Sequence, residues 1–129
     1  MSSTNLQYLL KPRSITVVGT ANSPNNNGYI VVRNIIHGGF QGPVLPISEK
    51  DLSVAGVLAY KNIASLPISP DLAVLCVPLD KATPFLQELR KKGTKAVILL
   101  AGGLSAVSPE KASQIKKELL AAANTPDMR

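Results

Sequence analysis

Cysteine occurs once in these 129 residues, as Cys76, histidine once, as His37, and tryptophan not at all. A lone cysteine rules out an internal disulfide framework. One cysteine and one histidine cannot make a Cys/His zinc site, so no structural metal is expected. Aromatic residues make up only 4% of the chain, too few to interleave with basic residues into a platform for stacked bases. No run approaches the roughly 20 apolar residues that a membrane span needs. The opening MSSTNLQYLLKPRS also lacks the charged-then-apolar order of a secretion signal. These absences suggest a cytoplasmic protein whose partner is neither a membrane nor a nucleic acid. Acidic residues are scarce too, 8 against 14 Lys and Arg, for a net charge of +6. That surplus favours an anionic ligand, and a phosphate-bearing small molecule fits it best. The length holds one domain with one core, and a 45% hydrophobic content is ordinary for such a core.

Along the chain, apolar runs alternate with helical patterns. Ser14-Ile15-Thr16-Val17-Val18-Gly19 reads as a buried strand ended by glycine. A polar loop, Thr20 to Asn27, leads to a helix from Gly28 to His37. On that helix Arg33, Asn34 and His37 form one polar stripe, and Gly38-Gly39 ends it. Pro43 to Ile47 is a second strand, its two prolines placing it at a sheet edge or a strand end. Gly56 to Tyr60 reads as a short third strand and Asn62 to Leu66 as a helical turn. Asp71 to Pro78 is apolar after its first residue, as a central parallel strand covered on both faces would be. A helix begins near Asp80 or Thr83, with Ala82, Phe85, Leu86 and Leu89 at i, i+3, i+4 and i+7, and stops at Gly93 after Arg90-Lys91-Lys92. Ala96 to Leu100 is another buried strand. Ser108-Pro109-Glu110 caps a last helix whose apolar face carries Ala112, Ile115, Leu119 and Ala122. The alternation predicts an α/β fold, a doubly wound parallel sheet with right-handed crossovers. A further strand is common after such a helix, so the chain reads as a piece of a longer protein.

In an open parallel sheet a ligand sits beyond the carboxyl ends of the strands, where the strand order reverses. The loop after the first strand, Gly19 to Gly28, belongs there. Gly19 turns without a Cβ, Thr20 and Ala21 allow close approach, and the helix after Gly28 offers free N–H groups to an anion. Ser23 and Asn25 to Asn27 add side-chain donors. Neither G-x-G-x-x-G nor G-x-x-x-x-G-K-[ST] is present, which disfavours an ordinary dinucleotide fingerprint and ATP hydrolysis at this loop. Pro46-Ile47-Ser48 and Val77-Pro78-Leu79 end the flanking strands and can sandwich an adenine or a ribose, or simply terminate those strands. Lys50 can meet a phosphate or stay solvated; Glu49 can instead bind a ribose hydroxyl, as in NAD sites. The residues leave that choice open. No catalytic set assembles, since His37 lies on a polar stripe and Cys76 inside a buried strand.

Leu9-Leu10-Lys11-Pro12-Arg13-Ser14-Ile15, Val17-Val18-Gly19-Thr20-Ala21, Gly28, Gly38-Gly39-Phe40, Gly42-Pro43-Val44-Leu45-Pro46, Pro70-Asp71-Leu72-Ala73-Val74 and Val77-Pro78 together carry a resemblance. The pattern resembles the N-terminal CoA-binding domain of the NDP-forming acyl-CoA synthetases, a domain shared with the succinyl-CoA synthetase alpha subunit. Gly56 to Tyr60 and Ile63 to Pro67 look most like the bacterial Pat-type protein lysine acetyltransferases. The resemblance implies a three-layer, Rossmann-like domain that binds CoA or acetyl-CoA. It implies that Gly19, Thr20, Ala21, Ser23 and Gly28 cradle the pyrophosphate and that Pro46, Val77 and Pro78 contact the nucleotide. The family's phosphorylated histidine and the acetyl-transfer site belong to downstream domains of a parent protein, so this chain alone is expected not to catalyse. At Gly42-Pro43 the chain departs from relatives that place a basic residue entering the second strand. The first expectation is a regulatory CoA-binding domain of such an acetyltransferase. The alternatives are the CoA-binding piece of an ADP-forming acyl-CoA synthetase and an NAD-binding sensor or interaction module.

Overall fold

The computed structural model describes residues 8 and 10–100. β-branched residues dominate Ile15–Val18, which form strand β1 with every side chain buried. Helix α1, Asn27–His37, follows a polar loop and is capped by Asn26, whose side-chain oxygen accepts from the Tyr29 amide at 2.9 Å. Val44–Ile47 form β2, and a hairpin of β3 (Ser53–Val54) and β4 (Val57–Leu58) leads to a 3₁₀ turn at Ile63–Ser65. Then come β5 (Leu72–Leu75), a second 3₁₀ turn (Leu79–Lys81), helix α2 (Ala82–Lys92) and β6 (Ala96–Leu99). Helix α2 stops where Gly93 takes φ 98°, a left-handed conformation that carries no Cβ penalty in glycine.

Four strands make one parallel sheet in the order β2-β1-β5-β6. From β1 the chain passes through α1 to pair β2 on one side, then returns past β1 to lay β5 on the other. The order therefore reverses between β1 and β5, and a crevice opens beyond their carboxyl ends. Alternate side chains divide the core between the two faces. Val18, Leu45, Ala73 and Leu75 pack with Ile63, Leu86 and Leu89, beneath α2 and the first 3₁₀ turn. Ile15, Val17, Leu72 and Val74 pack with Val32 and Val54, beneath α1 and the hairpin. The result is the expected three-layer α/β/α arrangement.

One expected element differs. Gly56 to Tyr60 does not supply a strand to the main sheet: Val57–Leu58 pair antiparallel with Ser53–Val54 in a separate two-stranded sheet. The turn between them has positive φ at Ala55 (51°) and Gly56 (84°), the geometry that reverses a chain in two residues. Only Tyr60 reaches the main sheet, through an isolated parallel bridge to Ile47. β2 lies at one edge of the described sheet, where Pro46 lacks an N–H at little cost and its carbonyl accepts from the Tyr60 amide at 2.8 Å. The helix expected after Ser108 lies outside the described residues. No helix among the described residues is long and apolar enough to cross a membrane.

At the amino ends of the strands, Asp71 acts as a staple. Its carboxylate accepts from the Arg13 amide at 2.9 Å and from Arg13 Nε at 3.2 Å, while its own amide donates to Ser14 Oγ at 3.0 Å. Its carbonyl takes the amides of Lys95 and Ala96 at 3.1 and 3.0 Å, joining β1, β5 and β6 at one residue. The Arg13 side chain is 82% exposed, so the ion pair itself adds little. Asp71→Ala should therefore cost about 1–3 kcal/mol by orphaning the Arg13 amide, whereas Arg13→Ala should stay within about 0.5 kcal/mol. Urea unfolding midpoints measure both. Nearby, the buried Thr94 hydroxyl has no partner among the described residues. Thr94→Val should raise stability by about 1 kcal/mol in the same assay.

Candidate functional site

The crevice owes its shape to a close approach. Gly19 follows β1 with φ 87°, and a Cβ there would collide with the Cys76 carbonyl and lie 2.9 Å from Val77 Cγ1. Only glycine lets the first loop turn this tightly against the end of β5. Thr20 then anchors the loop to β2, its hydroxyl donating to the Ile47 carbonyl at 2.7 Å and its amide to the same oxygen at 3.1 Å. Gly28 brings α1 onto that anchor. A Cβ on Gly28 would sit 2.7 Å from Thr20 Cγ2 and 2.8 Å from the Gly19 carbonyl oxygen.

Beyond these strand ends lies a cleft of about 560 Å³, within the range of small-molecule sites. Gly19, Thr20 and Ala21 form its floor, with Ile47 to Lys50 on the β2 side and Val77, Pro78 and Lys81 on the β5 side. Lys61, Asn62 and Ile63, together with Phe85 and Glu88 of α2, complete the lining. Val77 and Phe85, both half-buried, offer apolar surface to a flat ring. Lys50, Lys61 and Lys81 outnumber Glu49 and Glu88, which favours an anion. Ser48 Oγ accepts from the Asp51 amide at 3.1 Å and keeps its own proton to donate.

Of the residues singled out from the sequence, Gly19, Thr20, Ala21, Ser48, Lys50, Val77 and Pro78 line this cleft. Pro46, Ser23, Asn25 and Gly28 are not among its lining residues. Pro46 is buried within β2, Ser23 and Asn25 are exposed on the loop, and Gly28 is buried beneath it. The donors of the loop are also arranged otherwise than expected. The Ala21 amide donates to Asn26 Oδ1 at 3.1 Å, the Asn22 amide to Asp51 Oδ2 at 2.8 Å and the Ser23 amide to the Ala21 carbonyl at 2.8 Å. Asn26 further accepts from Tyr29 with its side chain and from Ile30 with its carbonyl. Of the first-turn amides, those of Asn27 and Gly28 alone keep the freedom usual there. The lysines are therefore the strongest anion donors in the cleft.

Glu49 and Lys50 both line the cleft, so its geometry keeps both of their roles available. Lys61, Asn62, Lys81, Phe85 and Glu88 were not recognisable as site residues from sequence motifs. One signal did exist: Lys81, Phe85 and Glu88 follow i, i+4, i+7 spacing and share a helical stripe. Gly42, where a basic residue was looked for, packs against the backbone of Arg13, whose carbonyl a Cβ would strike. Cys76 is half-buried and burial pushes its thiol up from its ordinary value, which suits an unreactive side chain. His37 is exposed in the last turn of α1.

Comparison with known proteins matches this architecture to a family. Over 125 residues the chain is 34% identical to the alpha subunit of ADP-forming acetate–CoA ligase II from Pyrococcus furiosus, covering 96% of this chain and 27% of that subunit. It is 37% identical over 106 residues to the ADP-forming 4-hydroxybutyrate–CoA ligase of Nitrosopumilus maritimus, covering 82% of this chain and 15% of that enzyme. Among solved structures, the apo form of the dinucleotide-forming acetyl-coenzyme A synthetase 1 of Ca. Korarchaeum cryptofilum superposes with a TM-score of 0.86 at 30% identity. That match covers 96% of this chain and 26% of the synthetase chain. The chain thus spans about a quarter or less of these relatives. Residues 13–129 match the family described as the CoA binding domain, and with the switch-point cleft in place this chain belongs to that family.

Proposed function

We propose that the chain is the CoA-binding part of an ADP-forming acyl-CoA synthetase and that the cleft between β1 and β5 holds CoA by its nucleotide end. The cleft itself carries this reading: three lysines ring an apolar-walled space of about 560 Å³ where the strand order reverses. Lys50, Lys61 and Lys81 would meet the phosphates, the Ser48 hydroxyl would donate to a phosphate or ribose oxygen, and Val77, Pro78 and Phe85 would cover the purine. The relatives described above are ADP-forming ligases and a synthetase, all archaeal. They support the synthetase reading over the bacterial acetyltransferase that the sequence first suggested. The ligase reaction would need the remaining parts of such a subunit, with this chain supplying the nucleotide grip.

The thiol of CoA lies at the far end of its pantetheine arm, away from the phosphates. A grip on the nucleotide end therefore does not sense the acyl group, and CoA and acetyl-CoA should bind alike. Glu49 in the cleft supports a competing reading, a ribose diol of NAD. Calorimetric titration of the folded chain decides between them. CoA should bind saturably, acetyl-CoA within about threefold of it and NAD at least about tenfold more weakly. Lys50→Ala and Lys61→Ala should each weaken CoA binding by about three- to tenfold, with the loss shrinking as salt rises. NAD binding tighter than CoA would favour the Glu49 reading, and a folded chain that bound neither would overturn the nucleotide site.

A further inference from the structure

The tip of the β1–α1 loop is gripped by a residue that does not line the cleft. The Asn22 amide donates to Asp51 Oδ2 at 2.8 Å, and Asn22 Oδ1 accepts from the Ala55 amide at 3.2 Å. Both partners belong to the segment of the β3–β4 hairpin, so Asn22 is clasped from two sides by one structural block. That block is firm. Val54 is fully buried in the core, and the Ala55–Gly56 turn has the positive φ angles of a tight reversal. Asp51 is itself oriented, its amide donating to Ser48 Oγ at 3.1 Å, and the Ser48 amide donates onward to the Tyr60 carbonyl at 2.8 Å.

Three successive amides of the loop therefore have fixed acceptors on three different elements: Thr20 on β2, Ala21 on the α1 cap and Asn22 on Asp51. Ala21, next to the clasp, lines the cleft. By charge alone, a carboxylate beside an anion site opposes the ligand, and its removal would tighten binding. By geometry, the same carboxylate holds the loop in one shape before the ligand arrives, and its removal would weaken binding through the lost preorganisation. The two effects have opposite signs, which makes them separable.

We propose that Asp51 is a positioning residue of this site, acting through Asn22 to hold Gly19–Ala21 in the one shape that lines the nucleotide cleft. The proposal rests on the CoA reading above. Calorimetry with CoA on the full chain, with circular dichroism to confirm folding, tests it. Asp51→Ala should weaken CoA binding by about tenfold, the scale of one charge-assisted hydrogen bond. Asp51→Asn, whose amide oxygen can still accept from Asn22, should restore affinity to within about twofold of the unaltered chain. Hydrogen exchange at the Asn22 amide should speed up in Asp51→Ala and stay slow in Asp51→Asn. Affinity in Asp51→Ala equal to or tighter than in the unaltered chain would overturn the clasp while leaving the CoA site standing. If Asp51→Ala does not fold, hydrogen exchange at the Asn22 amide of the unaltered chain still decides: slow exchange is expected of an amide held by Asp51, and exchange as fast as that of a free loop amide would overturn the proposal. Absence of CoA binding by the unaltered, folded chain would remove the CoA reading and the role of Asp51 together.

Discussion

Where β1 ends, the backbone of Gly19 lies so close to the Cys76 carbonyl that no side chain fits between them. That contact sets how near the ends of β1 and β5 come, and most of the site follows from it. The Cys76 amide donates to the Val18 carbonyl at 2.8 Å, so the two strands stay paired up to the point where their loops part. Beyond that point the first loop turns toward β2 and the second toward α2, and the space between them is the cleft. A sheet whose order ran on without reversal would send both loops to the same side and close that space.

The loop that borders this space is held by side chains as much as by backbone. Thr20 ties it to β2, Asn26 ties it to α1 and Asp51 ties it to the hairpin. These bonds take up amides that a glycine-rich phosphate loop would present to its ligand. Anion recognition therefore falls to the side chains of Lys50, Lys61 and Lys81, each on a different segment. Ammonium groups on flexible stems are strongly hydrated point charges, and they suit a ligand whose phosphates face solvent while its ring rests on an apolar wall. The hairpin, which contributes no strand to the main sheet, gains a purpose in this arrangement: it buries Val54 against α1 and its turn carries the Ala55 amide that donates to Asn22.

Much of this was legible in the chain. A short apolar run bounded by turn signals, such as the one over Leu72–Leu75, reads as a strand covered on both faces, and the helix over Ala82–Lys92 announces itself by its spacing and by Gly93. The glycine at position 19 was readable as the start of the site loop because it follows the first buried strand. The hairpin was harder. Gly56 to Tyr60 has the composition of a strand, and composition does not say which sheet a strand joins. That depends on the left-handed turn at Ala55, a residue that rarely adopts one. Lys61 and Lys81 were equally illegible, since a surface lysine looks the same in sequence whether or not it rims a cleft.

The sequence by itself determined the α/β class, the parallel sheet and the position of the site loop, because each rests on local patterns of apolar spacing and glycine placement. Only the tertiary structure decided which side chains meet at the cleft. Lys50, Lys61 and Lys81 come from segments separated along the chain, and their meeting depends on the crossover that reverses strand order between β1 and β5. The clasp of Asp51 on Asn22 is of the same kind: the two residues stand 29 positions apart, and no local pattern couples them. Periodicity records what a segment buries, whereas a site is a meeting of segments, fixed by packing.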